Sequence, residues 1–167
     1  MTDIIEGRVW VVGDSVNTDA MYPGFAMRLE PEEAAQHVFY ELRPGWSEQV
    51  RPGDIVVAGR NFGVGSSRPV ANLFRILGVR ALLADQFNSL FYRNCINFGL
   101  PALTVPGVRA AFEDGQQARI ALAAGHVDNT STNASFDVPG LPPMLLDLLD
   151  AGGLMQRLAD QGYRRAG

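Results

Sequence analysis

Three short runs rich in aliphatic and β-branched residues punctuate the first half of the chain: Gly7–Val12 (GRVWVV), Asp54–Ala58 (DIVVA) and Val79–Ala84. Each is bounded by glycine, aspartate or proline, and the pattern predicts buried strands. Between the first two, Pro31–Leu42 opens with proline and two glutamates and repeats apolar Ala34, Ala35, Val38, Phe39 and Leu42. That spacing predicts an amphipathic helix. A second helix is predicted from Pro69, with Val70, Leu73, Phe74 and Leu77 at i, i+3, i+4, i+7 before Gly78 stops it. A third spans about Asn88 to Phe98 and ends at Gly99 and Pro101. Strand, glycine loop, helix, strand, helix is a βαβ order, so the sequence predicts an α/β fold with a parallel sheet core. Any site should lie on the loops at the carboxyl ends of the strands. Farther on, Arg119–Ala123 and His126–Val138 read as extended and partly polar, and Leu141–Leu149 and Gly153–Ala159 as a closing helical region. With no internal repeat and no long polar linker, residues 1–167 are expected to form a single domain.

Composition narrows the functional classes. Hydrophobic residues make up 47% and charged residues 19% of the 167, which suits a globular domain large enough to fold without a staple. A net charge of −4 argues against a nucleic-acid binder, which needs a clustered basic face. Apolar stretches such as Val9–Val12, Ala81–Ala84 and Met144–Leu149 fall far short of the ~20 residues needed to cross a bilayer. Asp3 and Glu6 also sit where a signal peptide wants positive charge, so a cytoplasmic protein with no membrane partner is expected. Cys95 is the only cysteine. An internal disulfide is therefore impossible, this chain alone can hold no multi-thiolate metal cluster, and Cys95 is expected to be a small buried hydrophobe.

Candidate chemistry concentrates in Gly59–Arg68, GRNFGVGSSR. Its glycines permit backbone shapes closed to other residues and let a ligand approach the main chain, while amides at the next helix favour an anion. Ser66, Ser67 and Arg68 add two hydroxyls and a planar bidentate donor suited to a carboxylate or phosphate. The same residues would also serve as a glycine turn with N-capping serines. The loop is not a Walker A sequence, since no lysine follows its glycines, and its last position is arginine rather than the glycine of G-x-G-x-x-G. It lacks the G-x-S-x-G elbow, and His37 and His126 are the only histidines, so a serine–histidine triad is poorly served. His37 itself reads as a packing residue of the first helix. Val12–Arg28 is expected to be a structured loop rather than a helix, and loops of ~15 residues in compact domains are usually functional. Within it Asn17, Thr18 and Asp19 also fit an Asx-type turn, and Arg28 a solvated surface charge. Asn94 and Asn97 lie three apart near a helix end, where they are expected to satisfy unpaired carbonyls.

Taken together, Val12–Gly24 (VGDSVNTDAMYPG), Gly53–Arg68 (GDIVVAGRNFGVGSSR) and Phe91–Pro101 (FYRNCINFGLP) resemble the small subunits of 3-isopropylmalate dehydratase, which are similar to the swivelling fourth domain of aconitase. The resemblance covers most of residues 7–105, in family order and spacing. It implies a swivelling β/β/α domain of three layers, with a parallel or mixed sheet core, that closes over a large subunit carrying a [4Fe–4S] cluster. It implies a hydro-lyase of leucine biosynthesis, active only with that large subunit, that interconverts 2- and 3-isopropylmalate by dehydration and rehydration and binds no metal in this chain. By position Ser66 matches the catalytic serine. Ser67, Arg68 and Arg28, with Asn61, Gly63 and Gly65 of the loop, match substrate-binding positions, and Asp19 and Thr18 supporting ones. Three departures bear on the substrate. Pro69 and Val70 replace Glu-His or Glu-Gln, Asp85-Gln86 replaces Lys-Ser, and Ala26-Met27-Arg28-Leu29 replaces Tyr-Leu-Arg-Thr. They keep two other readings open: a paralogue acting on another 2-hydroxy di- or tricarboxylate, and a noncatalytic anion-binding module.

Overall fold

The first strand, β1 (Ile4–Val11), changes partner along its length in the computed structural model, which describes residues 4–65 and 68–162, the side chain of Met155 apart. Ile4–Arg8 pair antiparallel with β5 (Gln117–Ala121), and Val9–Val11 pair parallel with β2 (Ile55–Ala58). From β2 the sheet continues in parallel through β3 (Ala81–Ala84) to β4 (Ala102–Thr104). On the other side it continues antiparallel through β6 (His126–Asn129) to β7 (Ala134–Asp137), giving one seven-stranded sheet in the order β4-β3-β2-β1-β5-β6-β7. The helices are α1 (Thr18–Met21), α2 (Pro31–Ala34), α3 (Trp46–Gln49), α4 (Val70–Ile76), α5 (Ser89–Asn97), α6 (Pro143–Asp150) and α7 (Leu154–Asp160).

Every residue of β2 and β3 is buried, as parallel strands covered on both faces require. Their side chains alternate between two cores. Val56, Leu82 and Ala84 meet Leu73 and Phe74 of α4, Phe91 and Cys95 of α5, and the aromatic pair Phe39 and Trp46. Ile55, Val57 and Leu83 meet Ile120 and Val127 of the antiparallel half, Leu141, and Leu149 of α6. The second core requires the antiparallel half to curl over the parallel half, which makes the layers β, β and α as expected. Among the described residues no helix is long and apolar enough to cross a membrane.

The strands and α4 and α5 form where the pattern places them, within a few residues at each end. At α4 the stop is Gly78 with φ +87°, and at α5 the start is Asn88, whose side chain accepts the Leu90 N–H at 3.0 Å. Four expectations are corrected. Pro31–Leu42 is not one helix: α2 ends at Ala34, a 3₁₀ turn follows over Ala35–His37, and Phe39 turns left-handed at φ +60°. That backbone costs about 1–2 kcal/mol. It is offset by full burial of the Phe39 ring, edge-on to Trp46 at 4.9 Å and 5.7 Å from Phe74. His37 accordingly ends a 3₁₀ turn, half-buried against Phe25. Val12–Arg28 is not all loop, since it contains α1, capped by Asn17, and a 3₁₀ turn over Gly24–Arg28. His126–Val138 is a hairpin, turned where the Asn129 side chain accepts the N–H groups of Ser131 and Thr132. Among the described residues Asn94 serves no carbonyl; its Oδ1 accepts the Ala71 N–H at 3.2 Å and so satisfies a donor in the first turn of α4.

A buried carboxylate fixes the entry to this sheet. Asp54 accepts from Arg8 Nη2 at 2.8 Å, Trp10 Nε1 at 2.8 Å and the Arg51 N–H at 2.9 Å. Burial alone would raise its pKa, but these three donors outweigh burial and hold it below the ordinary carboxylate value.

Candidate active site at the glycine loop

Three loops leave the carboxyl ends of β1, β2 and β3 and zip together. The middle one, residues 59–65, is stitched to the first by Gly59 N–H to Gly13 O (3.1 Å), Ser15 N–H to Arg60 O (2.7 Å), Gly63 N–H to Val16 O (2.8 Å) and Thr18 N–H to Val64 O (3.0 Å). To the third it is joined by Phe62 N–H to Gln86 O (3.0 Å) and Asn88 N–H to Phe62 O (2.9 Å). The glycine loop is therefore a rigid middle strand of a small ladder. Asp85, standing where the family pattern has lysine, accepts the Arg109 N–H at 3.1 Å.

Gly63 has φ +85°, and a Cβ there would lie 2.2 Å from Cγ of Phe91, so only glycine lets the loop descend onto that ring. Its N–H is already donated to Val16, which makes it a shaping residue. Gly65 (φ +107°) and Asn61 (φ +53°) are exposed at the rim of the loop. Ser66 and Ser67, the expected base and its neighbour, lie outside the described residues.

Arg68 is half-buried, and its guanidinium is fastened at one corner. Nη1 donates to Tyr22 O at 2.6 Å and pairs with Asp19 Oδ1 at 2.9 Å. Among the described residues Nε and Nη2 have no partner, so one edge of the fork is presented for a second, bidentate acceptor. Asp19 owes its place to α1, whose cap is Asn17 Oδ1 accepting the Ala20 N–H at 2.8 Å. Thr18, next to it, is buried under Gly65, with Oγ1 3.7 Å from where a Gly65 Cβ would be. Arg28 ends the following 3₁₀ turn, exposed and without an ion pair among the described residues.

A cleft of about 270 Å³ opens beside the fork, lined by Asp19, Pro23, Gly24, Phe25, Glu41 and Arg68. The structure thus joins Asp19 and Arg68 in one wall, seats Thr18 and Gly65 against each other, and leaves Arg28 on the neighbouring turn. Sequence reading missed Phe25 and Glu41. Glu41 carries no local signal, because it reaches the cleft only through the left-handed turn at Phe39. A larger cleft, about 680 Å³ and lined by residues including Glu32, His37 and Tyr40, contains none of the expected site residues. Cys95 is fully buried, and burial pushes its thiol far above the ordinary range. Among the described residues no group of three or more His, Cys, Asp or Glu is arranged to hold a metal ion.

The aconitase C-terminal domain family matches residues 18–107, which include α1, the glycine loop, Arg68 and α5. The 3-isopropylmalate dehydratase small subunit 1 of Methanopyrus kandleri is 42% identical over 166 residues, covering 98% of each chain. The chain belongs to the 3-isopropylmalate dehydratase small-subunit family. A crystal structure of 3-isopropylmalate dehydratase from Methanocaldococcus jannaschii matches this member of the family with a TM-score of 0.87, at 34% identity and over 95% of each chain. The α/β swivelling fold expected from the motifs is the fold of that structure. As small subunits, the family's members are parts of a hydro-lyase of the aconitase superfamily that is assembled with a large subunit. The methanogen homoaconitase small subunit of Methanothermobacter thermautotrophicus is also 42% identical, over 159 residues, 93% of this chain and 91% of the other.

Proposed function

We propose that this chain completes the active site of a cytoplasmic hydro-lyase that interconverts 2- and 3-isopropylmalate, with the [4Fe–4S] cluster carried by its large subunit. Such a cluster does not fit this chain, which has a single cysteine, buried and held protonated. The observation that carries the reading is the Arg68 guanidinium on the cleft wall, anchored through Nη1 with its Nε–Nη2 edge unpartnered among the described residues.

That edge takes one substrate carboxylate bidentately and fixes the reacting carbons beside residue 66. Ser66, as alkoxide, removes the proton from the carbon next to the hydroxyl-bearing one. The hydroxyl leaves as hydroxide, for which the large subunit's cluster would supply the Lewis acid, and an unsaturated diacid forms; hydroxide then adds to the carbon that lost its proton, while Ser66 returns that proton to the carbon that lost the hydroxyl. A serine alkoxide needs nearby positive charge, and Arg68, two residues along the chain, is the group that supplies it in this reading. Asn61 and Gly65 bind the substrate from the rim, Ser67 adds a hydroxyl donor to the carboxylate that Arg68 holds, and Arg28 takes the substrate's second carboxylate. Gly63, its amide already used, contributes by shaping the loop. Asp19 and Thr18 are positioning residues: Asp19 keeps the Arg68 fork in orientation, and Thr18 supports the glycine loop from beneath.

Arg68→Lys in the assembled enzyme tests this geometry. Lysine keeps the charge but loses the fork, so KM for 3-isopropylmalate should rise about 30-fold, or about 2 kcal/mol, with a smaller change in kcat. An unchanged KM would remove Arg68 from the substrate site.

A further inference from the structure

Overall identity does not choose between a dicarboxylate and a tricarboxylate substrate, because relatives named for isopropylmalate and for homoaconitate chemistry are both 42% identical to this chain. The charges that line the cleft beside Arg68 bear on that choice. Its charged lining is one guanidinium and two carboxylates: Arg68, Asp19 and Glu41. Asp19 already neutralises Arg68 at 2.9 Å, while Glu41 has no hydrogen-bond or ion-pair partner among the described residues. Ala20, Pro23, Gly24 and the half-exposed ring of Phe25 form the remaining wall, which bears no charged side chain.

We infer that Glu41 is a specificity-determining residue: on the lining it shares with the Asp19–Arg68 pair, its carboxylate excludes substrates whose substituent bears a third carboxylate and admits a branched alkyl group. The inference rests on the cleft being the substrate site. 3-Isopropylmalate and isocitrate share the 2-hydroxysuccinate frame and differ only in an isopropyl against a carboxymethyl substituent, groups of similar size and different charge. A pocket that separates them must do so chiefly by electrostatics. With the free edge of Arg68 already holding the first substrate carboxylate, a carboxymethyl group in this cleft would meet Glu41 and Asp19 with no further cation on its lining. Closure of the large subunit over the cleft would strip water and sharpen the repulsion.

The test is the ratio of kcat/KM for isocitrate to kcat/KM for 3-isopropylmalate, measured on one preparation of the assembled enzyme so that the fraction of active protein cancels. Wild type should favour 3-isopropylmalate. Glu41→Lys should raise the ratio at least about tenfold, Glu41→Gln should raise it less, and Glu41→Asp should leave it near wild type. Competitive inhibition by propane-1,2,3-tricarboxylate should strengthen in the same order. A ratio unmoved in both Glu41→Lys and Glu41→Gln, with 3-isopropylmalate turnover retained, would overturn the role of Glu41 and leave the proposed function standing. A wild-type preference for isocitrate would overturn the exclusion itself. An assembled wild-type enzyme inert toward both acids would remove the substrate site and the inference with it.

Discussion

Replacing Ser66 by alanine in the complex with the large subunit is expected to lower kcat about 10³-fold, the range general-base catalysis supplies, while KM changes by no more than a few-fold. The described residues around Ser66 have anchors of their own, Thr18 N–H and Gly63 N–H in the ladder between the first loop and the glycine loop and Arg68 on Tyr22 O and Asp19. Complex formation, followed by size-exclusion chromatography, should therefore be unaffected. Ser67→Ala is the matched control and should act mainly through KM. A Ser66→Ala enzyme within about tenfold of wild-type kcat would mean that another group takes the proton.

The second large effect is on stability. Gly63→Ala should cost about 3 kcal/mol and lower Tm by roughly 6–12 °C. Two penalties add: a β-carbon at φ +85°, and one placed 2.2 Å from Phe91 Cγ. Phe91 cannot swing aside cheaply, since its buried ring packs 5.1 Å from Phe62 and 6.2 Å from Phe87. A double-mutant cycle separates the two. In a Phe91→Ala background the steric penalty should vanish and the conformational one, about 1 kcal/mol, should remain. A loss below about 1 kcal/mol in the wild-type background would mean that the loop does not rest on Phe91 as described.

Much of this was legible in the sequence because local signals and packing agree there. The apolar runs of β2 and β3 are buried on both faces, so they read continuously, and α4 and α5 carry their own stop and start residues in Gly78 and Asn88. The site loop was legible because glycine–serine–arginine chemistry is dense over a few residues. Where local pattern and tertiary packing disagree, reading failed. Residues 31–42 have helical period, yet burying Phe39 against Trp46 and Phe74 breaks the helix, and the same break brings Glu41 to the cleft. Strand β4 is three residues between Pro101 and Val105, too short for any period to register. Asn94 was read as a donor to carbonyls because only its own helix was visible; its partner, the Ala71 N–H, belongs to another.

The most direct measurement is an anaerobic assay of this chain with its cluster-loaded large subunit, following the ultraviolet absorbance of the unsaturated diacid formed from 3-isopropylmalate. Turnover that requires both chains, and saturates as this chain is titrated into a fixed amount of the large subunit, is the predicted result. Equal turnover by the large subunit alone, or a loaded complex inert toward isopropylmalate, would contradict it.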